Sequence, residues 1–297
     1  MGDLEASSLP MRIFRSIGFE RVAWSLRRLH CPVPASALVL EVGSGGNPYA
    51  RANVLLDGYE DTRQRHWAPL VADRPTVLGF VERLPFRDKA FDFVIASHVL
   101  EHSTQPELFL GELQRVAHAG YIEVPDAFME RINPYRDHRL EITMRENRLV
   151  IRKKRGWIED PAVVELYEHG AKPIVTQHLI PRHPFAFHVR YYWRDKIDFT
   201  VVNPGDDAAW PAPESALQQP TPPTLRGVIG GSLLNLARGT LSQRKRNASL
   251  PLAPLLACPD CRGTAMALGV DAVRCGGCGR HYPIVRGVPR LYPEGQS

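Results

Sequence analysis

The chain has 297 residues, 44% of them hydrophobic and 23% charged, which excludes a wholly disordered, collagen-like or mucin-like protein. Its formal charge of +5 is uneven: residues 1–224 carry 27 Lys and Arg against 29 Asp and Glu, whereas residues 225–297 carry 10 against 3. No apolar run reaches the roughly 20 residues of a membrane-spanning helix and no secretory signal precedes the first elements, so no membrane span and a cytoplasmic location are expected.

In chain order, residues 11–30 combine Ile13, Phe14, Ile17, Val22, Leu26 and Leu29 with five arginines, which predicts an amphipathic helix lying on a domain. From residue 38, apolar runs of strand length alternate with turns and helical segments, the signature of a parallel α/β sheet. Strands are expected at 38–42, 54–57, 76–80, 91–97 and 121–125. A helix is expected from Pro106 to Ala117, with Leu108, Phe109, Leu113 and Val116 on one face. Beyond it, a helix near Ala162–His169 and strands at NRLVIRKK, HVRYYW and IDFTVV are expected, the strands antiparallel and closing the sheet. Six prolines between residues 204 and 224 disfavour helix and sheet interior and mark a linker. The expected division is a main domain over 1–203, a Pro-rich then basic linker over 204–249, and a small domain over 250–297. Arg226, Arg238, Arg244, Lys245 and Arg246 stand in the linker without an acid after Leu225; they suit a solvated face, or attraction of nucleic acid or an acidic surface.

The run LVLEVGSGGNPY takes a strand ending in Glu41 and Val42 into Gly43, Ser44, Gly45 and Gly46, a turn that lets backbone approach a ligand at the carboxyl edge of a sheet. The second strand ends in Asp57, where a carboxylate accepts both hydroxyls of an adenosine ribose, as NAD and S-adenosylmethionine sites both require. Pro48 occupies the last glycine position of the dinucleotide pattern, and the short connection from Gly46 to Val54 leaves little room for a helix facing a pyrophosphate. Both features favour the sulfonium cofactor.

The segment ERLPFRDKAFDFVIASHVLEHSTQPELFLGELQRVAHAGYIEVPD resembles the central stretch of class I S-adenosylmethionine-dependent methyltransferases of the small-molecule type. It shares their LPF turn, the strand opening in FD, the LEH ending, the helix and the fifth strand ending in Pro. The resemblance covers about residues 36–126 and implies a Rossmann-like methyltransferase sheet, mostly parallel, with antiparallel closing strands. It also implies that Glu41, Gly43 and Gly45 flank the methionyl part of the cofactor, that Asp57 holds the ribose and that Leu84 lies by the adenine. Two positions depart from the family pattern. Asn47 replaces a frequent third glycine, and Phe80 replaces the acid that receives the adenine amino group.

Methyl transfer needs in-line approach of a nucleophile to the methyl, and a side-chain base only where the acceptor must lose a proton. Ser97, His98, Glu101 and His102 follow the fourth strand. His98 is the candidate proton acceptor or substrate contact, set against a reading in which it supports the turn through hydrogen bonds. Glu101 and His102 suit capping of the next helix, and His138 suits either a substrate wall or a structural role.

Four of five cysteines form two pairs, Cys258-x2-Cys261 and Cys275-x2-Cys278, with thirteen residues between them. Without an export signal, this spacing points to one tetrahedral structural zinc rather than disulfides. Four thiolates leave no open position, so no catalysis is assigned to the metal. The CPDC start and the YPIVRGVP ending resemble short zinc-ribbon proteins that activate methyltransferases by binding them. That resemblance implies an intramolecular contact between ribbon and enzyme. The expected function is methyl transfer from S-adenosylmethionine to an acceptor of unassigned identity. A glycan or small metabolite is favoured because the main domain is near neutral to acidic. RNA ranks second, since no aromatic RNA platform is readable and nucleic-acid binding is not favoured. The alternative is a non-catalytic adaptor built on a degenerate methyltransferase fold.

Overall fold

The computed structural model describes residues 6–60, 69–157, 161–211, 239 and 241–295. The chain forms two compact units, one of Met1–Pro32, Ser97–Glu107 and Tyr121–Gln218, the other of Val33–Ala96, Leu108–Gly120 and Gln219–Ser297. The main sheet has six strands in the order β3-β2-β1-β4-β5-β8. They are β1 (Val39–Val42), β2 (Val54–Asp57), β3 (Thr76–Leu78), β4 (Phe91–Ser97), β5 (Ala117–Pro125) and β8 (His188–Arg194). This is the Rossmann-like methyltransferase arrangement expected from the sequence.

In the second unit, β1 runs parallel to β2 and β4, pairing Val42 with Leu56 and with Ala96. Its four residues are all buried, as are those of β2. Continuous apolar runs, rather than alternating ones, are what a parallel sheet covered on both faces demands. Helix α3 (Pro106–Val116) buries Phe109, Leu110, Leu113 and Val116, whereas Leu108 is 52% exposed. Phe109, Leu113 and Val116 thus lie on the expected face, but Leu110 on one flank of that stripe is buried and Leu108 on the other is not.

The C-terminal ribbon belongs to this same unit. Its strands β10 (Met266–Leu268), β11 (Ala272–Cys275), β12 (His281–Val285) and β13 (Val288–Pro289) are antiparallel in sequence order. Arg286 and Gly287 both have positive φ, the backbone that a two-residue hairpin between β12 and β13 requires. The chain leaving β13 joins the edge of the main sheet. Leu78 bridges Arg290 in parallel, and the Leu291 amide donates to the Leu78 carbonyl at 2.7 Å. On the entry side, Phe86 bridges Leu256, and the Ala257 amide donates to Pro85. β3 would otherwise present unpaired backbone groups, so the ribbon covers an edge strand. Side chains reinforce this contact: Arg262 reaches both oxygens of Glu112 at 3.0 Å, and Arg83 donates to the carbonyls of Pro259 and Asp260.

The helix Arg244–Ala248 is anchored too. Arg246 donates to the carbonyls of Ala35, Ser36 and Ala37, and Asn53 donates to Gln243 and Asn247. Arg246 thus packs on the unit, whereas Arg244 and Lys245 are exposed, as a solvated face expects. Arg226 and Arg238 lie outside the described residues.

In the first unit the expected single N-terminal helix is two, α1 (Leu9–Ser16) and α2 (Glu20–Leu26). Gly18, at φ +81°, adopts the left-handed conformation that ends the first. The strands read as closing the main sheet divide between two sheets. β8 joins the main one, whereas β6 (Leu140–Arg145), β7 (Arg148–Lys153) and β9 (Phe199–Val201) form a separate three-stranded sheet. β7 is antiparallel to β6 but parallel to β9, so the antiparallel expectation fails for that pair. The turn Glu146-Asn147, positive φ at both residues, fixes the first pairing, and a connection long enough for a crossover permits the second. The helix at Pro161–Leu166 continues through π-helical turns to Arg182. Residues 204–211 open the Pro-rich stretch and are tied to this unit, with the Trp210 indole donating to the Lys154 carbonyl and the Arg139 guanidinium 4.0 Å from the Trp210 ring centre. The rest of that stretch lies outside the described residues.

Candidate functional site

The glycine turn follows β1. Gly43 and Gly45 take φ of +63° and +54°, which side chains with a Cβ rarely adopt. Two buried carboxylates shape the turn. Glu41, 2% exposed, accepts the Tyr49 amide at 2.7 Å. Asp57, 4% exposed, accepts Gly45 N at 2.9 Å on one oxygen and Tyr59 N at 3.0 Å on the other. A carboxylate oxygen accepts more than one hydrogen bond, so these contacts are compatible with ligand hydroxyls or an amine at either group. Ser44 lies between the two glycines with its hydroxyl buried and, among the described residues, without a hydrogen-bond partner. An unsatisfied buried hydroxyl beside a left-handed glycine turn is what a ligand-binding loop leaves for its ligand. The residues here fit S-adenosylmethionine on those grounds.

Leu84 is fully buried, and its amide donates to Glu112 at 2.7 Å while its carbonyl receives Arg115 and Arg262. Its backbone is thus committed within the unit, and its side chain lies in the core. Phe80 packs among rings, 5.9 Å from Tyr59 and 5.2 Å from Tyr292, whose hydroxyl donates to the Gly58 carbonyl. Tyr292 comes from the ribbon's tail. Aromatic surface therefore stands where the methyltransferase pattern has an acid.

The second group of polar residues lies in the other unit. His98 follows β4 directly, at φ +58°, and its amide donates to the Glu123 carbonyl. Its ring nitrogens face two buried carboxylates, Nδ1 at 3.4 Å from Glu101 and Nε2 at 3.3 Å from Glu123. Burial opposes the charged imidazole, but these two carboxylates outweigh it and raise the His98 pKa to about 9. Burial pushes Glu123 upward, and the His98 hydrogen bond with the Arg27 charge more than reverses this, holding it well below the usual value. Arg27 grips both Glu123 oxygens at 2.7 and 3.0 Å, and Ser97 and Tyr121 donate to the same group. His188, 5.4 Å from the His98 ring, is depressed to about 4, first by burial and then by the His98 charge. Glu123, Arg27 and His188 were not singled out from the sequence. The available signal was an acid inside the otherwise apolar strand YIEVP.

The four ribbon cysteines meet at one point, each sulfur within 4.8 Å of the others. Cys258 and Cys278 are 3.7 Å apart, and Cys261 and Cys275 are 3.6 Å apart. Bonds of about 2.3 Å from zinc to four tetrahedral sulfurs imply edges of about 3.8 Å, so the set fits a zinc ion. The residue after each pair, Arg262 or Gly279, has positive φ, as a tight knuckle requires. Cys31 takes no part in the cluster.

Residues 40–122 match the family described as methyltransferase domain. The chain is 31% identical over 149 residues to an uncharacterized methyltransferase of Mycobacterium leprae, with the same match in two strains; the aligned part is 45% of this chain and 54% of the relative. The chain thus spans about half the length of the curated relatives it matches. A complex between the Haloferax volcanii Trm112 methyltransferase activator and a methyltransferase is similar at 17% identity and TM-score 0.37, over 64% of this chain and 95% of that one. A Thermotoga maritima S-adenosylmethionine-dependent methyltransferase is similar at 19% identity and TM-score 0.28, over 39% and 55%.

Proposed function

We propose that the methyltransferase domain at residues 40–122 binds S-adenosylmethionine and transfers its methyl group to a small acceptor, a glycan or metabolite carrying a nucleophilic hydroxyl or amine. The observation that carries this reading is the turn itself, in which two left-handed glycines flank a Ser44 hydroxyl that is unpartnered among the described residues, beside the carboxylates of Glu41 and Asp57. When bound, the cofactor supplies a methyl on a positively charged sulfur, so positioning accounts for much of the rate. Asp57 would hold the ribose hydroxyls. Glu41, Gly43, Ser44 and Gly45 would line the methionyl part, and the Leu84 side chain the adenine.

On the acceptor side the reading rests on His98. Within the first unit its two ring nitrogens stand 3.4 and 3.3 Å from the Glu101 and Glu123 carboxylates, which attract the ring electrostatically while about a third of the side chain stays exposed, an arrangement that suits a residue holding an acceptor in place. Glu123, itself fixed by Arg27, Ser97 and Tyr121, orients that histidine and is assigned no contact with the acceptor.

The ribbon, with zinc on Cys258, Cys261, Cys275 and Cys278, supports the cofactor half by covering β3. In this reading it serves as a built-in partner, a stabiliser of the enzyme. Nothing in this role requires nucleic acid, and the anchoring of Arg246 removes one cation from the basic stretch that would attract it.

The test is transfer of labelled methyl from S-adenosylmethionine to fractions of a cell extract. Label is expected in the small-molecule fraction. Label in RNA alone would move the acceptor to the second-ranked class, and no transfer together with no cofactor binding would leave the non-catalytic adaptor.

A further inference from the structure

Apart from the glycine turn and the ribbon, three residues of the first unit bring potential ligand atoms together. Glu101, His102 and His138 each offer one, all within 4.8 Å of one another. Glu101 is 2% exposed, and neither of its carboxylate oxygens has a hydrogen-bond partner among the described residues; His98 Nδ1 stands 3.4 Å from Oε1, outside hydrogen-bonding geometry. A carboxylate taken out of water is costly unless hydrogen bonds or a bound cation replace the lost solvation. His98 offsets part of this charge but leaves the oxygens' lone pairs unfilled.

Both histidines are held from behind. His138 Nδ1 lies 2.7 Å from Glu130, a buried carboxylate fixed in turn by Lys154 and the Tyr135 amide. His102 Nδ1 lies 3.4 Å from the Asp137 carbonyl and 3.5 Å from its carboxylate. In each ring an oxygen engages Nδ1 and leaves Nε2 as the ligand atom, the support that fixes tautomer and orientation around bound metals. The two rings meet edge to face, with centres 4.8 Å apart and planes at 88°.

We propose that Glu101, His102 and His138 bind a divalent cation of the zinc class, in a site separate from the four thiols. Two imidazoles with one carboxylate match borderline transition ions, whereas magnesium and calcium prefer oxygen-rich sets. Three protein ligands leave a coordination position open. The His102 side chain is 38% exposed, so a bound ion would be open to solvent, and a water or hydroxyl on it would lose its proton to solvent more readily. The four-thiol ribbon has no such opening.

The test is the zinc content of the full chain after dialysis against a small excess of zinc, for wild type, Glu101→Gln and His102→Asn. Wild type is expected to hold two zinc ions per chain and each variant one, with the remaining ion bound by thiolates. Cobalt exchange identifies that ion through its strong sulfur-to-cobalt absorption. His102→Asn alters a partly exposed residue, so it carries the test if Glu101→Gln folds poorly. Wild type holding no metal beyond the thiolate-bound ion, or both variants keeping the wild-type complement, would overturn the proposal. The readout is metal and not turnover, so failure here is distinguishable from failure of the methyltransferase reading.

Discussion

The carboxylates of the two units differ in what they hold. In one unit Glu41 and Asp57 bind backbone amides two to twelve positions away in the chain, so the strand and its turn shape themselves. In the other, Glu123 binds Arg27 across 96 positions, and His98 sits between carboxylates from two separate stretches of chain. The first arrangement is local and persists while the strand persists. The second is assembled by folding, and one broken contact strands the others. The ribbon repeats the contrast, with its knuckles closing locally on four thiols while its docking relies on contacts such as Arg262 with Glu112 across 150 positions.

The largest test of that contrast removes the metal. Chelation of zinc, or Cys275→Ser with Cys278→Ser, is expected to unfold the ribbon, since structural zinc contributes on the order of 10 kcal/mol or more in small domains. Because the ribbon covers β3, the melting temperature of the whole second unit should fall with it. Differential scanning calorimetry with and without chelator would show this, and an unchanged main transition would separate ribbon from sheet.

Next in size is Glu112→Ala. Arg262, Arg115 and the Leu84 amide all converge on this carboxylate; its loss removes the acidic partner of Arg262, leaves Arg115 with Asp88 alone and strands the buried Leu84 amide, and should cost about 1–3 kcal/mol in urea unfolding. A cost within the surface range of about 0.5 kcal/mol would show that the docking contact is dispensable. Gly79→Ala should cost less, about 1–2 kcal/mol, because the added Cβ would stand 3.1 Å from the Leu291 carbonyl where the ribbon joins the sheet edge. In a chain truncated before the ribbon that penalty should disappear.

Glu123 gives the pH counterpart. Its folded pKa is depressed, so its contribution is present above the unfolded carboxylate value, about 4.3, and is lost as pH falls through the folded value. The melting-temperature gap between wild type and Glu123→Gln should therefore be widest near neutrality and narrow below about pH 4. A gap independent of pH would mean that the Glu123 charge adds nothing.

What the sequence disclosed follows the same division. The strands from Val39 to Ser97, the carboxylates ending β1 and β2, and the four-cysteine cluster are carried by period, turn residues and short spacings, and each was readable. Gly18 could have been read as a break between α1 and α2, yet a helical stripe of apolar residues on both sides concealed it. The parallel pairing of β7 with β9 and the Arg27 grip on Glu123 depend on segments distant in the chain, and no local pattern encodes them. Leu108 shows the finer limit, since it and Leu110 flank the stripe of Phe109, Leu113 and Val116 on opposite sides and only packing decides which leucine is buried.

Calorimetric titration of the full chain with S-adenosylmethionine, and of Asp57→Ala beside it, tests the central claim most directly. Saturable binding by wild type is expected, weakened roughly ten- to hundredfold by Asp57→Ala, about 1.5–3 kcal/mol for loss of a charged acceptor. Absence of binding by wild type at millimolar cofactor, or equal affinity in the variant, would contradict the assignment of the glycine turn as the cofactor site.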